Sequence, residues 1–246
     1  MSSLAAVVLA AACTNSFEIP IETPIRPKLD VAAFQRVLVA GFIAGGTEDV
    51  DGNLETTRLL RSQLRTKSEL RVIDSDVLPL MDVATEGRNG DGGAQTPAPA
   101  PAAIKEEKDL EAYEHVFANV EYWKRIGEEY QQPLIVTGTL MFTPLQRNQI
   151  VQREQEVYDS FGRRRVVPVR TYQERKGFSL DGRFIFIDGR SGATLHSESF
   201  GEQILYNANQ TTPALSSYFE LMDRLIPSFL STLSSQKIKG TRILLQ

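Results

Sequence analysis

The hydrophobic pattern is clearest over residues 177–199, where two extended runs flank the turn-forming residues 188–192. Gly and Asp tolerate the backbone angles of tight turns, so this stretch predicts a β-hairpin whose turn carries a bulge. Residues 184–187 are apolar at every position, which is typical of a strand that is covered on both faces of a sheet. Residues 37–40 and 134–136 share this pattern. The sequence therefore predicts a central sheet that contains these three strands.

Helical periodicity appears between these strands. Apolar residues recur at three- and four-residue steps over residues 106–130, which predicts one long helix with a single apolar face. A second helix is expected over residues 53–67, with Asn53 as its N-cap. Both helices would pack their apolar faces on the sheet.

The order of the elements indicates the fold class. The remaining expected elements are a short strand at 70–74, a brief helix from Ser75 or Asp76 to about 82, a strand at 134–145, a final helix from Thr212 or Pro213 that Pro227 kinks or restarts, and a closing edge strand at 238–245. The sequence predicts a single α/β domain with a mixed central β-sheet flanked by helices and a projecting polar β-hairpin.

The projecting hairpin is predicted at residues 147–176, with its turn at Phe161 and Gly162. Its charged residues are Arg147, Arg153, Arg163, Arg164, Arg165, Arg170, Arg175, Lys176, Glu154, Glu156, Asp159 and Glu174. Eight cations against four acids give a net charge of +4, so the rest of a chain of net charge -4 carries -8. This asymmetry indicates either a binding site for carboxylates or phosphates or a set of charges that protects the strand edges from aggregation. Both interpretations stay open, and the candidate binding residues are Arg163, Arg164, Arg165 and Arg170.

The N-terminal residues indicate a membrane anchor. Residues 4–12 form an apolar run that suits a signal peptide but is too short to span a bilayer, and Cys13, the only cysteine, follows at once. Residues 9–13 resemble the lipobox of bacterial lipoproteins, which implies that Cys13 is lipidated. The predicted domains are a signal peptide (1–13), an extended tether rich in proline (14–34) and the α/β domain (35–246), with a disordered loop at 85–103.

Residue types that support catalysis or metal binding are scarce. His115 and His196 are the only histidines, so neither a zinc cluster nor a Ser/His/Asp arrangement is indicated. Residues 41–47 lack the lysine of a phosphate loop. Residues 49–53 imitate the start of a calcium loop without the Gly and Glu that it needs, so capping acids are the simpler interpretation. We expect no enzymatic activity, cofactor or metal, and a sequence pI of 5.4 argues against nucleic acid as a partner.

Three motifs and their order resemble a known group: VLVAGF at 37–42, LIVTGTL at 134–140 and FIFIDGRSG at 184–192. Together they are similar to the curli-secretion lipoprotein superfamily, which includes CsgG-like proteins and LpoB-type lipoprotein activators of penicillin-binding proteins. The resemblance covers about residues 35–235. It implies a non-enzymatic role, since members act as pores, as partner-binding activators or as envelope assembly factors.

The leading hypothesis is a lipid-anchored, non-enzymatic protein of the bacterial cell envelope that faces the periplasm, with the outer membrane as the favoured location. Its partner would be an envelope protein or an anionic envelope polymer. The alternative is an oligomeric outer-membrane secretion pore. Strands that span a membrane need an apolar residue at every second position on the lipid side, and neither register of residues 150–159 provides this.

Overall fold

The computed structural model describes residues 16–89, 104–158, 160–207, 209–210 and 212–245. In chain order the elements are β1 (Ser16–Ile25), β2 (Arg36–Gly46), α1 (Gly52–Lys67), β3 (Arg71–Val72), α2 (Leu80–Asn89), α3 (Glu107–Glu111), α4 (Glu114–Ala118), α5 (Val120–Glu129), β4 (Leu134–Tyr158), β5 (Arg164–Asp188), β6 (Thr194–Asn207), α6 (Ala214–Leu233) and β7 (Gln236–Leu245). Cys13, the predicted signal peptide and residues 90–103 of the predicted loop lie outside the described residues.

A five-stranded mixed sheet forms the centre of the molecule, in the order β3-β2-β4-β5-β6. β2 runs parallel to β3 and β4, whereas β5 is antiparallel to β4 and β6. The three runs that the sequence placed inside the sheet are almost completely buried. The predicted fold class is confirmed: the chain forms a single α/β domain with a mixed sheet, flanking helices and a projecting hairpin.

Each face of the sheet carries its own apolar core. α1 and α6 cover one face, where the ring of Phe184 lies 5.8 Å from Phe42, 5.1 Å from Phe200 and 5.2 Å from Phe229. α2, α3, α4 and α5 cover the other face, where Trp123 is fully buried. Successive residues of a strand point to opposite faces, so a strand that is apolar at every position supplies both cores.

The turn between β5 and β6 matches its sequence signal. The backbone N–H of Gly192 donates to the carbonyl oxygen of Asp188 over 2.7 Å, and Gly192 has a φ of 73° that favours glycine. The register shifts between Phe186 and Ile187, which is the bulge expected for this hairpin. The hairpin prediction at residues 177–199 is therefore confirmed.

The prediction of a single helix over residues 106–130 is wrong, because three shorter helices, α3, α4 and α5, occupy this stretch. Asn119 leaves the helical conformation with φ -78° and ψ 86°, and its side chain accepts a hydrogen bond from Tyr122 N over 3.1 Å to start α5. The carbonyl oxygen of Val116, at the end of α4, accepts hydrogen bonds from the backbone N–H of Asn119 over 3.3 Å and from the indole Nε1 of Trp123 over 2.9 Å. Most of the apolar residues of the predicted helical face stay buried despite the breaks between the three helices: Leu110, Tyr113, Phe117, Trp123 and Ile126. Val120, however, is 45% exposed.

The helix predicted to end near residue 82 also has the wrong bounds. α2 begins at Leu80 and extends to Asn89, so residues 85–89 of the predicted loop are helical. Residues 73–78 instead follow the outer edge of β2, where Leu78 N donates to the oxygen of Ala40 over 2.8 Å. The guanidinium of Arg61 donates to the oxygens of Val39 and Ser75 over 2.8 and 2.7 Å. These hydrogen bonds to backbone oxygens keep residues 73–78 extended. α2 therefore begins at Leu80 and not at Ser75 or Asp76.

Two smaller expectations also change. Asp51, rather than Asn53, caps α1 by accepting a hydrogen bond from Leu54 N over 3.0 Å. The side chain of Asn53 instead accepts from Phe42 N over 2.7 Å and ties α1 to β2. The capping role inferred for the acids of residues 49–53 is thus confirmed for Asp51. α6 continues through Pro227 without a restart.

The two ends of the described chain pair with each other. β1 and β7 form a separate antiparallel sheet, from Ser16 opposite Leu245 to Ile25 opposite Gln236. The predicted closing strand exists, but it pairs with β1 and not with the central sheet. The N-terminal segment then contacts the domain, since Leu29 N donates to the oxygen of Thr232 over 3.0 Å.

Glu198 holds this N-terminal segment in place. It forms an ion pair with Lys28 and accepts hydrogen bonds from His196 and from Thr232 Oγ1 over 3.4 and 3.2 Å. Partial burial raises the pKa of the Glu198 carboxyl, but these hydrogen bonds and the charge of Lys28 outweigh it and hold the pKa below its ordinary value. The ion pair and hydrogen bonds of the Glu198 carboxylate therefore stabilise the fold at neutral pH. This stabilisation is lost as the pH falls through the pKa that Glu198 has in the folded state.

Candidate functional site

β4 and β5 continue far beyond their neighbours in the sheet. β2 ends at Gly46, opposite Phe142 of β4, and the pairing of β6 with β5 begins at Arg175. Eleven residue pairs, from Asn148 opposite Glu174 to Tyr158 opposite Arg164, therefore have no third strand beside them. At ~3.4 Å per residue this part of the hairpin extends for roughly 35 Å. It is the projecting hairpin that the sequence predicts.

The turn of the hairpin lies at residues 160–163. Gly162 has a φ of 74°, which explains the glycine at this position. The side chain of Phe161 is 81% exposed, and the guanidinium carbon of Arg163 lies 5.4 Å from the centre of its ring. A cation over an aromatic face stabilises the turn modestly and leaves both groups at the surface.

The register sorts the side chains of the hairpin onto two different faces. Residues directly opposite each other in an antiparallel pair share a face, and successive residues alternate between faces. We call one side the arginine face: Arg147, Gln149, Val151, Arg153, Gln155, Val157, Arg165, Val167, Val169, Thr171, Gln173 and Arg175. It carries four arginines and, among these described residues, no acid.

The opposite side has a different composition. We call it the mixed face: Asn148, Ile150, Gln152, Glu154, Glu156, Tyr158, Arg164, Val166, Pro168, Arg170, Tyr172 and Glu174. It combines three acids with two arginines, and Arg164 forms an ion pair with Glu156. The mixed face is nearly neutral, so the positive charge of the hairpin is concentrated on the arginine face.

Large apolar side chains stand exposed on the mixed face. Ile150 and Tyr172 are a directly opposed pair, 71% and 65% exposed, and Tyr158 nearer the turn is 66% exposed. Val166 is 52% exposed. Such a group of exposed aromatic and aliphatic residues on a polar ribbon is typical of a surface that another molecule covers.

The four arginines proposed from the sequence do not form one cluster. Arg163 belongs to the turn, Arg164 and Arg170 lie on the mixed face, and Arg165 lies on the arginine face opposite Val157. The prediction treated residues 163–165 as a unit because they are adjacent in the chain, but adjacent strand residues point to opposite sides. Counting alternate positions outward from the Phe161–Gly162 turn was the signal that separates them.

A cavity opens where the mixed face meets the domain. Its volume is about 520 Å³. It is lined by Leu145, Phe178 and Tyr206 among others, and Phe178 stacks on Phe142 with ring centres 4.9 Å apart. The Tyr206 hydroxyl donates to Glu220 over 3.1 Å, and partial burial raises the pKa of this phenol. The cavity extends the apolar contact area of the mixed face towards α6.

The described residues contain no group of three or more His, Cys, Asp or Glu side chains that is arranged to hold a metal ion. His115 contacts the carbonyl oxygens of Ala112 and Ala84, and His196 contacts Glu198. No helix in the described part of the chain is long and apolar enough to cross a membrane.

No protein-family model matches the chain, and the comparison with curated proteins gives no match. Among solved structures the chain is similar to lipoprotein GNA1162 from Neisseria meningitidis, with 13% identity, 79% of this chain and 97% of that chain covered, and a TM-score of 0.33. It is also similar to a PelC dodecamer from Paraburkholderia phytofirmans, with 14% identity, 89% of this chain and 97% of that chain covered, and a TM-score of 0.37. The C-terminal domain of LpoB from Salmonella enterica is a third similar structure, with 8% identity, 70% of this chain and 84% of that chain covered, and a TM-score of 0.31. Likenesses this distant carry no functional argument, so membership of the CsgG-like superfamily stays a prediction.

Proposed function

We propose that this chain is a non-enzymatic protein of the bacterial cell envelope, anchored by a lipid on Cys13, that docks an envelope protein on the mixed face of its hairpin. In that role it acts as an assembly factor or an activator. The observation that carries the proposal is the exposed pair Ile150 and Tyr172, the third of eleven residue pairs, counted from the domain, in a ribbon that has no third strand beside it.

The physical reason is that a two-stranded ribbon in water is only marginally stable, and a covering surface stabilises it. Tyr and Arg are enriched in protein interfaces, and the mixed face presents Tyr158, Tyr172, Arg164 and Arg170 together. Arg170 offers a bidentate contact to a carboxylate of a partner, whereas Arg164 is paired with Glu156. Their placement favours docking over catalysis as the purpose of this surface.

The secretion-pore alternative is not favoured by the register. A hairpin that spans a bilayer needs one face that is apolar along its length. Here the mixed face carries Glu154 and Glu156, and the arginine face carries Arg153 and Arg165. Both faces would place charges in the hydrocarbon layer.

Docking on the mixed face is tested by the double variant Ile150→Ser/Tyr172→Ser. We expect it to lower the affinity for the partner by about 30-fold or more, since buried aromatic contacts at interfaces cost about 2 kcal/mol or more when removed. The measurement starts from a pull-down of envelope extract with the Cys13→Ser chain. The protein that it retains is then identified, purified and titrated calorimetrically.

The matched control is Arg153→Ser/Arg165→Ser on the opposite face, which should retain the same protein with unchanged affinity. Melting curves of both variants should stay close to that of the parent chain, because the substituted side chains are exposed. Equal retention of the protein by all three chains would reject the mixed face as its docking site.

Anchoring is tested separately by Cys13→Ser in the full-length precursor. Loss of the acyl chains should move the protein from the membrane fraction to the soluble envelope fraction, because stable anchoring depends on them. Cell fractionation followed by immunoblotting measures the distribution. Membrane retention that survives both Cys13→Ser and a high-salt wash would show that another part of the chain holds it there.

A further inference from the structure

The arginine face is built differently from the mixed face and is not used by the proposed function. Arg147 and Arg175 are directly opposite each other at its inner end, Arg153 lies six residues further out, and Arg165 lies opposite Val157 near the turn. Four valines, at positions 151, 157, 167 and 169, lie between and beside these arginines. Positive charge and aliphatic carbon therefore share one side of the ribbon.

The spacing of the arginines indicates the kind of surface that they fit. Arg153 is about 20 Å from the inner pair and Arg165 about 14 Å further, at ~3.4 Å per residue. A single small anion cannot contact groups spread over roughly 35 Å. An extended anionic plane can contact all of them at once, provided that it also accepts the valines.

We propose that the arginine face docks the hairpin on the surface of an anionic lipid bilayer. Arginines bind lipid phosphates through bidentate hydrogen bonds, and their aliphatic stems reach along apolar surface while the charge stays at the headgroups. The valines then enter the boundary between headgroups and acyl chains, as the apolar sides of interfacial segments do.

The turn adds a further contact of the same kind. Phe161 is 81% exposed and lies beside Arg163, and aromatic rings are favoured at the membrane–water boundary. The ribbon lies on the bilayer in this arrangement and does not cross it, so the acids of the mixed face remain in water. The mixed face is then presented away from the lipid, where a partner protein can reach it.

The test uses the full chain with Cys13→Ser, so that any vesicle binding comes from the protein surface. The chain is mixed with vesicles of phosphatidylcholine alone or of phosphatidylcholine with phosphatidylglycerol, and the bound fraction is measured by flotation at low and high salt. We expect binding to the anionic vesicles only, weakened by salt because the contacts are electrostatic. Soluble glycerol phosphate should not compete, since the site is an extended surface.

Two variants with the same change of net charge decide between the faces. Arg153→Ser/Arg165→Ser should lower the partition coefficient on anionic vesicles by about 25-fold, because each arginine near such a surface contributes a factor of about five. Arg164→Ser/Arg170→Ser, on the mixed face, should change it much less. Val157→Ser/Val167→Ser should also weaken binding, but without altering its salt dependence.

Four outcomes would overturn the inference: no binding to anionic vesicles, equal binding to neutral ones, equal losses in the two arginine variants, or loss of the partner protein with Arg153→Ser/Arg165→Ser. The last result would identify the arginine face as a protein site. Failure here is distinct from failure of the proposed function, because that function is read from Ile150→Ser/Tyr172→Ser on the other face.

Discussion

A Gly138→Ala variant is expected to lose at least about 3 kcal/mol of unfolding free energy, which is a large part of the stability of an ordinary domain. Gly138 lies in β4 at a φ of 151°, between Phe42 of β2 and Phe184 of β5. An added Cβ would overlap the carbonyl oxygen of Arg183 on β5. The side chain thus meets both an unfavourable backbone conformation and a backbone clash that the central strands cannot relieve.

Chemical unfolding followed by circular dichroism measures this loss. Gly182→Ala is the control, since Gly182 lies in the same sheet but its nearest neighbour for an added Cβ is the flexible end of Leu140 at 3.1 Å. The control should stay within about 1 kcal/mol of the parent chain. Equal stabilities of the two variants would show that the conformation at Gly138 is not required by the sheet.

Trp123→Ala is expected to cost about 3–5 kcal/mol, the usual range for removing a large buried aromatic side chain. The indole is fully buried on the sheet face covered by α2 to α5, and it packs edge-on against Tyr122 with ring centres 5.0 Å apart. Its Nε1 also supplies the hydrogen bond to Val116 that joins α4 to α5. Its removal leaves a cavity and takes away the shorter of the two hydrogen bonds that the carbonyl oxygen of Val116 accepts.

Two further variants separate these contributions. Trp123→Phe keeps most of the volume and should lose only part of the stability, whereas Val120→Ala on the exposed side of α5 should lose less than about 1 kcal/mol. Urea unfolding monitored by circular dichroism compares all three. A Trp123→Ala variant as stable as Val120→Ala would contradict the packing of α5 against the sheet.

The central strands could be predicted because their signal is local and strong. Residues 184–187 lack a polar position, and such a run is typical of a strand that is covered on both faces of a sheet. The hairpin turn at residues 188–192 was also readable, since Gly192 stands where a positive φ is needed. Here sequence, turn and sheet position agree.

The helices were less predictable because the spacing of apolar residues does not reveal short interruptions of a helix. The apolar residues of α3, α4 and α5 keep a helical spacing across the breaks, and the break before α5 depends on the capping side chain of Asn119. The start of α2 depends on hydrogen bonds to β2 from residues distant in the chain. Pairing of β1 with β7 joins opposite ends of the chain, and no local pattern reports such a contact.

The candidate site was partly predictable. The charge excess of residues 147–176 marked the hairpin as a candidate binding site, but charge alone does not say which side chains act together. The division into faces follows from the register of β4 against β5, which places Arg164 and Arg165 on opposite sides. It also reveals Ile150 and Tyr172 as a cross-strand pair, although they are 22 positions apart in the chain.

Photo-crosslinking in living cells tests the central claim, that the two faces of the hairpin contact different molecules. Gln152 and Gln155 are both exposed residues of β4, three positions apart, and they lie on the mixed face and the arginine face respectively. A photo-crosslinking amino acid in place of Gln152 should join the chain to one envelope protein, and the same amino acid in place of Gln155 should join it to phospholipid. Identical products from the two positions would contradict the account.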